Sequence, residues 1–227
     1  NVHIVTGSVT SAQNIIKCCN QSGLDVEDIV LEPLSSSQAV LSPDEQEVGV
    51  VLVDIGGGTT DVTIYSEGSI VHTAVLALGG NHLTHDIAIG LGAPLREAEE
   101  IKHKYGLAMA SMVEEEEMID VPSVGGRNNR TMQKKVLASI IEDRFREIFE
   151  LIAHEIEKTH FHTLMASGVV ITGGTCIMPG ADLLASQVLN LPVRVGYPEN
   201  ISGLREMIYS PKYATSVGLV RYGITSN

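Results

Sequence analysis

Asp54-Ile55-Gly56-Gly57-Gly58-Thr59-Thr60-Asp61 lies between two runs rich in β-branched residues, 48–55 and 61–65. A glycine run between two buried strands makes a tight turn whose backbone N–H groups can reach one point with no Cβ in the way. Such a turn suits an anion, and the hydroxyls of Thr59 and Thr60 offer further donors. Asp54 and Asp61 flank it and would repel a phosphate unless a cation lay between them. The octet therefore predicts a phosphate with Mg²⁺, held through water. No Gly-Lys-Ser/Thr follows and the next element is a strand, so this is not a Walker loop. The plainer reading, a glycine hairpin with incidental acids, would suit a lone Gly-Gly-Gly better than it suits this octet.

On the C-terminal side, Glu67-Gly68-Ser69 turns the chain again and residues 70–78 form a third apolar run, which predicts an antiparallel three-strand meander. On the N-terminal side, 2–6 and 28–31 read as strands, with helices over 9–19 and, after Glu32-Pro33, over 34–41. Near the C-terminus, 168–172 and 193–195 read as strands alternating with helices over 180–188 and 214–222. Strand–helix alternation calls for crossover connections and parallel pairing. The expectation is an α/β fold with a mixed sheet, an antiparallel meander plus parallel strands, and helices on both faces. Residues 81–145 interrupt that alternation with helices over 83–91 and 94–104 and an exposed hairpin region around 114–129. A long amphipathic helix follows over 131–159, with Val136, Ile140, Ile141, Phe145, Ile148, Phe149, Ile152 and Ile156 on one face. This middle reads as a small α/β insertion into a domain built from both ends, 1–80 and 146–227.

Ile171-Thr172-Gly173-Gly174 ends a predicted parallel strand, and Pro179-Gly180 opens the next helix. Paired glycines at the carboxyl edge of a sheet let a flat ligand approach the backbone. The bend belongs on the same edge as the first glycine turn, so the two together predict a site at one rim.

These motifs resemble the second half of the actin/hexokinase/DnaK-type chaperone superfamily. Within it the chain resembles the FtsA family of bacterial cell-division actin homologues, through VHIVTG (2–7), VDIGGGTTDV (53–62), VPSVGGR (121–127) and YATSVGLVRYG (213–223). The likeness implies an actin-like, ribonuclease-H-like fold and ATP with Mg²⁺ as ligands. Asp54 would hold hydrated Mg²⁺, and Gly56, Gly57, Gly58, Thr59 and Thr60 would line the β- and γ-phosphates. Gly173 and Gly174, with Thr172 and Met178 nearby, would face adenosine. Glu99 and Lys102, one turn apart on a helix, match a pair that family members point at the ribose, although a solvated ion pair explains that spacing too. Glu32 stands where the superfamily orients the attacking water, or serves only as a helix-entry acid. A chaperone-type or sugar-kinase ATPase and a rod-shape or pilus-assembly adaptor are the competing functions.

The resemblance further implies that the insertion, subdomain IIB, binds the C-terminal tail of FtsZ, that the remainder is subdomain IIA, and that the intact protein forms actin-like filaments. Arg127, Arg130, Lys134 and Arg144 are the residues expected to meet that tail, on the premise that a local cationic patch selects an acidic–apolar peptide. The family's first phosphate loop does not precede Asp54, and its C-terminal membrane-targeting helix does not precede Asn227. The chain therefore reads as the second domain only, of a cytoplasmic protein held peripherally at the division septum. The isolated chain is expected to bind ATP weakly and not to hydrolyse it.

Overall composition sets bounds. With 28 acidic and 15 basic residues the formal charge is −13, which disfavours nucleic acid and unaided docking on anionic lipid. Cys18, Cys19 and Cys176 show no metal-ligand spacing and read as small buried hydrophobes. His82 and His85, and His160 and His162, offer two-ligand spacings without a third ligand, so no zinc site is expected.

Overall fold

The computed structural model describes residues 4–114, 116–123, 129–159, 166–203 and 205–225. Its centre is a strand, β1 (Val50–Ile55), in which every residue is buried. β1 pairs antiparallel with β2 (Thr60–Ser66), which pairs antiparallel with β3 (Ser69–Leu76), giving the expected meander. On its other side β1 pairs in parallel with β6 (Val169–Thr172), and β6 with β7 (Val193–Val195). The order is β3-β2-β1-β6-β7.

A strand buried on both faces still alternates, and β1 shows what each face meets. Val51, Val53 and Ile55 enter the larger core, against α6 (Lys134–Lys158) and its Phe145, Ile148, Phe149 and Ile152. Val50 and Leu52 enter a smaller core with Ala39 and Val40 of α2 (Glu32–Val40) and Ala214 of α9 (Ala214–Thr225). The period of two puts Asp54 on this second face. Along α6 the buried positions Leu137, Ile141, Phe145, Ile148, Ile152 and Ile156 recur every three or four residues, and Phe145 stacks on Phe149 at 5.7 Å. Val136, expected on the same face, is exposed, and Leu137 takes the buried place.

Between β3 and β6 run α4 (Gly80–Leu91), α5 (Leu95–Tyr105) and a hairpin of β4 (Met118–Val121) with β5 (Arg130–Gln133). The turn of that hairpin lies largely outside the described residues. A parallel crossover returns through α7 (Ala181–Leu189) to β7, and a short helix, α8 (Arg205–Ile208), precedes α9.

Three expectations need correction. Residues 4–6, from the predicted strand 2–6, and all of 28–31 take no regular secondary structure and pair with no strand among the described residues, and Ile4 and Ile29 are exposed. A β-pattern needs a neighbour to satisfy its amides, and the described chain offers none there. Between them α1 (Val9–Gln21) forms as expected but has no buried residue, so Cys18 is exposed rather than in a core. A short helix not foreseen, α3 (Pro43–Val48), is started by a capping box in which the Ser42 hydroxyl accepts from the Glu45 amide and Glu45 accepts from the Ser42 amide. It takes up Val48, the first residue of the predicted 48–55 run.

α2 and α9 approach so closely that a Cβ on Gly218 would lie 1.7 Å from the Ser35 carbonyl oxygen. Both elements carry residues that surround Asp54. Gly218→Ala forces α9 off α2, and urea unfolding is expected to show a loss of at least about 1–3 kcal/mol.

Candidate functional site

Asp54 is the last residue but one of β1, with only 5% of its surface exposed. Its Oδ2 accepts from the Ser36 hydroxyl at 2.7 Å and from the Thr215 hydroxyl at 3.5 Å, and those two hydroxyls lie 2.9 Å apart. Burial nonetheless pushes the Asp54 carboxyl above its ordinary pKa. Asp61, opposite Asp54 in the β1–β2 register, is raised by burial and then by the charge of Asp54. Glu32, at the start of α2, is raised by burial and then by Asp54 and Asp61. Three acids from three elements thus lie close together: the charge of Asp54 raises both others, and that of Asp61 raises Glu32.

The glycine turn sits directly above them. Gly56 donates its amide to the Thr59 carbonyl at 2.9 Å, while the amides of Gly57, Gly58 and Thr59 have no partner among the described residues. Three of the turn's carbonyls, by contrast, accept protein donors, Thr59 O among them. Gly56 O accepts from the Gly80 amide at 3.0 Å and the Thr175 hydroxyl at 2.9 Å, and Gly57 O accepts from the Asn81 amide at 2.7 Å. A Cβ on Gly79 would lie 2.6 Å from Gly56 O, which is why α4 must be entered through glycine.

The second glycine bend meets the first. Asp54 is in register with Thr172 on the parallel partner strand. Gly173 has φ 91°, and a Cβ there would lie 2.5 Å from both Asp54 Oδ1 and Ile55 O. Gly174 is exposed beside it and Met178 is partly buried. Thr172 is fully buried, its hydroxyl donated to Gly196 O at 3.0 Å. Met178 lies under the end of α5, where a Cβ on Gly106 would be 2.9 Å from its Cε.

Two expected contributors are otherwise engaged. Thr60 is buried and donates its hydroxyl to Leu78 O at 2.8 Å, so only Thr59, exposed at the turn, presents a threonine side chain at the rim. Lys102 donates to Gly80 O at 3.0 Å and the Thr84 hydroxyl at 2.8 Å and pairs with Glu99 Oε2 at 2.8 Å. Glu99 also accepts from Thr84 and pairs with His103 at 2.9 Å. Burial pushes the Glu99 carboxyl up, but the bonds from Lys102 and Thr84 outweigh it and hold the pKa below its ordinary value.

A family model described as cell division protein FtsA matches residues 51–218. The chain belongs to the FtsA family. Its FtsA relatives include the cell division protein of Pseudomonas aeruginosa, 46% identical over 223 residues, and that of Escherichia coli K12, 41% identical over 233. These alignments take in 98% and 100% of this chain but 54% and 56% of the relatives, so the chain spans about half their length. Among solved structures, MreB5 of Spiroplasma citri bound to ADP matches with a TM-score of 0.79 at 19% identity, over 97% of this chain and 67% of that one. The PilM–PilN type IV pilus biogenesis complex matches at 0.69 and 17%, over 94% and 57%. At such identities the likeness shows the fold, which is the mixed α/β architecture expected from the meander and the actin-like one that the resemblance implied.

In this FtsA-family chain the four expected partner residues have different fates. Arg127 lies outside the described residues. Arg130 is exposed on β5. Lys134 is held by Glu117 at 2.8 Å. Arg144 is held by Asp86, at 2.6 and 3.1 Å, and by Glu147. A cavity of about 270 Å³ opens there, lined by Asp86, Ile140, Asp143, Arg144 and Glu147. One cation among three acids makes this groove net negative, so charge alone does not attract an acidic peptide to it.

Sequence reasoning passed over Ser36, Thr215, Thr175 and Asn81. The small residues after Pro33 were a usable sign of a close helix approach, but nothing local links Thr215 to Asp54, 161 positions away.

The raised acids set a pH dependence. A carboxyl whose folded pKa exceeds its unfolded value binds its proton more tightly in the fold. Its contribution to stability is therefore greatest below the unfolded value of about 4 and is lost as pH rises through the folded value. Asp54→Asn is expected to melt above the unmodified, ligand-free protein at neutral pH. The gap should close as the pH is lowered toward 4, as read by Tm across that range.

Proposed function

We propose that the chain forms the nucleotide-binding second half of an actin-like adaptor of bacterial cell division. The observation that carries this reading is the glycine turn with three unpartnered amides beside a buried aspartate, meeting the Gly173-Gly174 bend at one rim. The donor set fits Mg·ATP. Gly57, Gly58 and Thr59 offer amides without a crowding Cβ to the phosphates. Asp54, whose Oδ2 is occupied by Ser36, keeps Oδ1 for a hydrated Mg²⁺. Bound Mg²⁺ would supply charge neutralisation between the phosphates and the acids. Gly173, Gly174 and Met178 would form the adenosine wall, with Glu99 toward the ribose. Glu32, whose pKa is raised by burial and then by Asp54 and Asp61, would orient the attacking water and, in its ionised form, be a stronger base toward it than an ordinary carboxylate.

In the same reading residues 1–80 and 146–227 form subdomain IIA and 81–145 subdomain IIB. The boundary falls inside α6, so one continuous helix joins the two parts. IIB would dock the C-terminal tail of FtsZ, the intact protein would polymerise as actin-like filaments, and it would sit at the septal membrane. No described helix is long and apolar enough to cross a membrane. Docking at Arg144 requires a tail carboxylate to replace Asp86 or Glu147, a swap of one charge-assisted bond for another.

Two experiments follow, both on protein of the full length of its relatives. A Cβ on Gly58 would meet no atom within 4 Å and its φ is unstrained. Gly58→Val should therefore keep the parent Tm while weakening Mg·ATP by about tenfold or more in calorimetry, because the branched side chain stands where the anion must approach. Unchanged affinity would remove the turn from the site. For the partner, Arg144→Ala should weaken a fluorescent FtsZ tail peptide by about 1–3 kcal/mol, and Asp86→Asn should tighten it by freeing the guanidinium. Equal affinity in all three proteins would place docking elsewhere.

A further inference from the structure

Lys102 is the best-buried cation in the ion pairs around the candidate site, with 10% of its side chain exposed, and an ammonium has three hydrogens to place. All three are used inside the protein, on the Gly80 carbonyl, the Thr84 hydroxyl and the Glu99 carboxylate. Thr84 in turn lies 3.1 Å from the same Gly80 carbonyl and bonds the same carboxylate of Glu99. Gly80 is the first residue of α4, and its amide donates to Gly56 O of the glycine turn. Two hydrogen bonds therefore run from Lys102 through one residue, Gly80, to the turn. Gly80 has no slack in this position, since a Cβ on it would lie 2.5 Å from Thr175 Oγ1.

We infer that Lys102 is a positioning residue: it presses the start of α4 against the glycine turn and so sets the height of the anion-binding amides, rather than reading the ribose. To reach a ribose hydroxyl it would have to release one of three short bonds and leave a buried carbonyl or carboxylate without its partner, which is costly. The residue facing the nucleoside from α5 is then Glu99, whose Oε1 is the oxygen turned toward the exposed His103. Because α5 belongs to the insertion, the same strut ties the insertion to the floor of the site. This inference rests on the nucleotide reading given above.

The two roles for Lys102 differ in what they do to a ligand that has phosphates and no ribose. Full-length protein and its Lys102→Met variant are titrated with ATP and with inorganic tripolyphosphate, both with Mg²⁺. Hydrogen exchange of the Gly80 and Asn81 amides is followed without ligand. A positioning role weakens both ligands by a similar factor, about tenfold, and speeds exchange at both amides. Thr84→Val, which removes the hydroxyl shared by Lys102 and Gly80, should give the same pattern in smaller measure if the methionine variant folds poorly. Loss of ATP with tripolyphosphate unchanged would show ribose reading and overturn the inference, as would two unchanged affinities. If the unmodified protein binds neither ligand, the nucleotide reading fails. The exchange rates then still decide the strut, with unaltered protection at Gly80 and Asn81 refuting it.

Discussion

The carbonyl of Gly56 accepts from the Gly80 amide and the Thr175 hydroxyl, and through that one oxygen three segments far apart in sequence are brought together. The turn after β1, the entry to α4 and the bend after β6 cannot separate without leaving a buried acceptor unpaired. The arrangement also divides the turn's polar groups. The carbonyls of Gly56, Gly57 and Thr59 are satisfied by protein, while the amides of Gly57, Gly58 and Thr59 have no partner among the described residues. A rigid cradle of donors for an anion is the consequence, held in place before any ligand arrives. Glycine at 79, 80 and 173 is the steric condition for it, since each of these backbones passes within contact distance of its neighbour.

The same sheet that supports the cradle makes it costly. β1 is buried on both sides, and its alternation aims Asp54 into the smaller core between α2 and α9. Ser36 and Thr215 offset part of the desolvation, yet the carboxyl remains harder to ionise than in water. Asp61 and Glu32 add their charges to the same space. A cation at this place relieves repulsion among three carboxylates as well as between them and a phosphate. Ligand-free protein keeps that strain, which is a common trade of stability for binding at functional sites.

The meander, the long helix and the glycine turn were legible because each is specified by a short stretch of chain. β-branched runs around Gly-Gly-Gly permit little else, and α6 carries its buried face every three or four residues for 25 residues. The predicted strands at 2–6 and 28–31 had the same local pattern and form no ladder among the described residues, because a strand is completed by a partner that its own sequence does not contain. α3 precedes the apolar run and shares only Val48 with it, so its polar residues carried no helical apolar pattern. The resemblance gave Thr60 and Lys102 ligand-facing roles, and in the structure each has donors engaged by neighbouring carbonyls or side chains.

The sequence by itself determined the kind of chemistry, an acidic-flanked glycine turn on an α/β scaffold of the FtsA family, because residue type and local spacing fix which backbone conformations and which donors are available. Tertiary structure alone decided how those groups are divided between holding the protein together and meeting a ligand. Asp54 faces Ser36 and Thr215 rather than solvent, Lys102 braces Gly80, and Arg144 is already claimed by Asp86. The physical reason is that a hydrogen bond or ion pair is spent on whichever partner lies within about 3 Å, and that neighbour is chosen by packing of segments up to 161 residues apart.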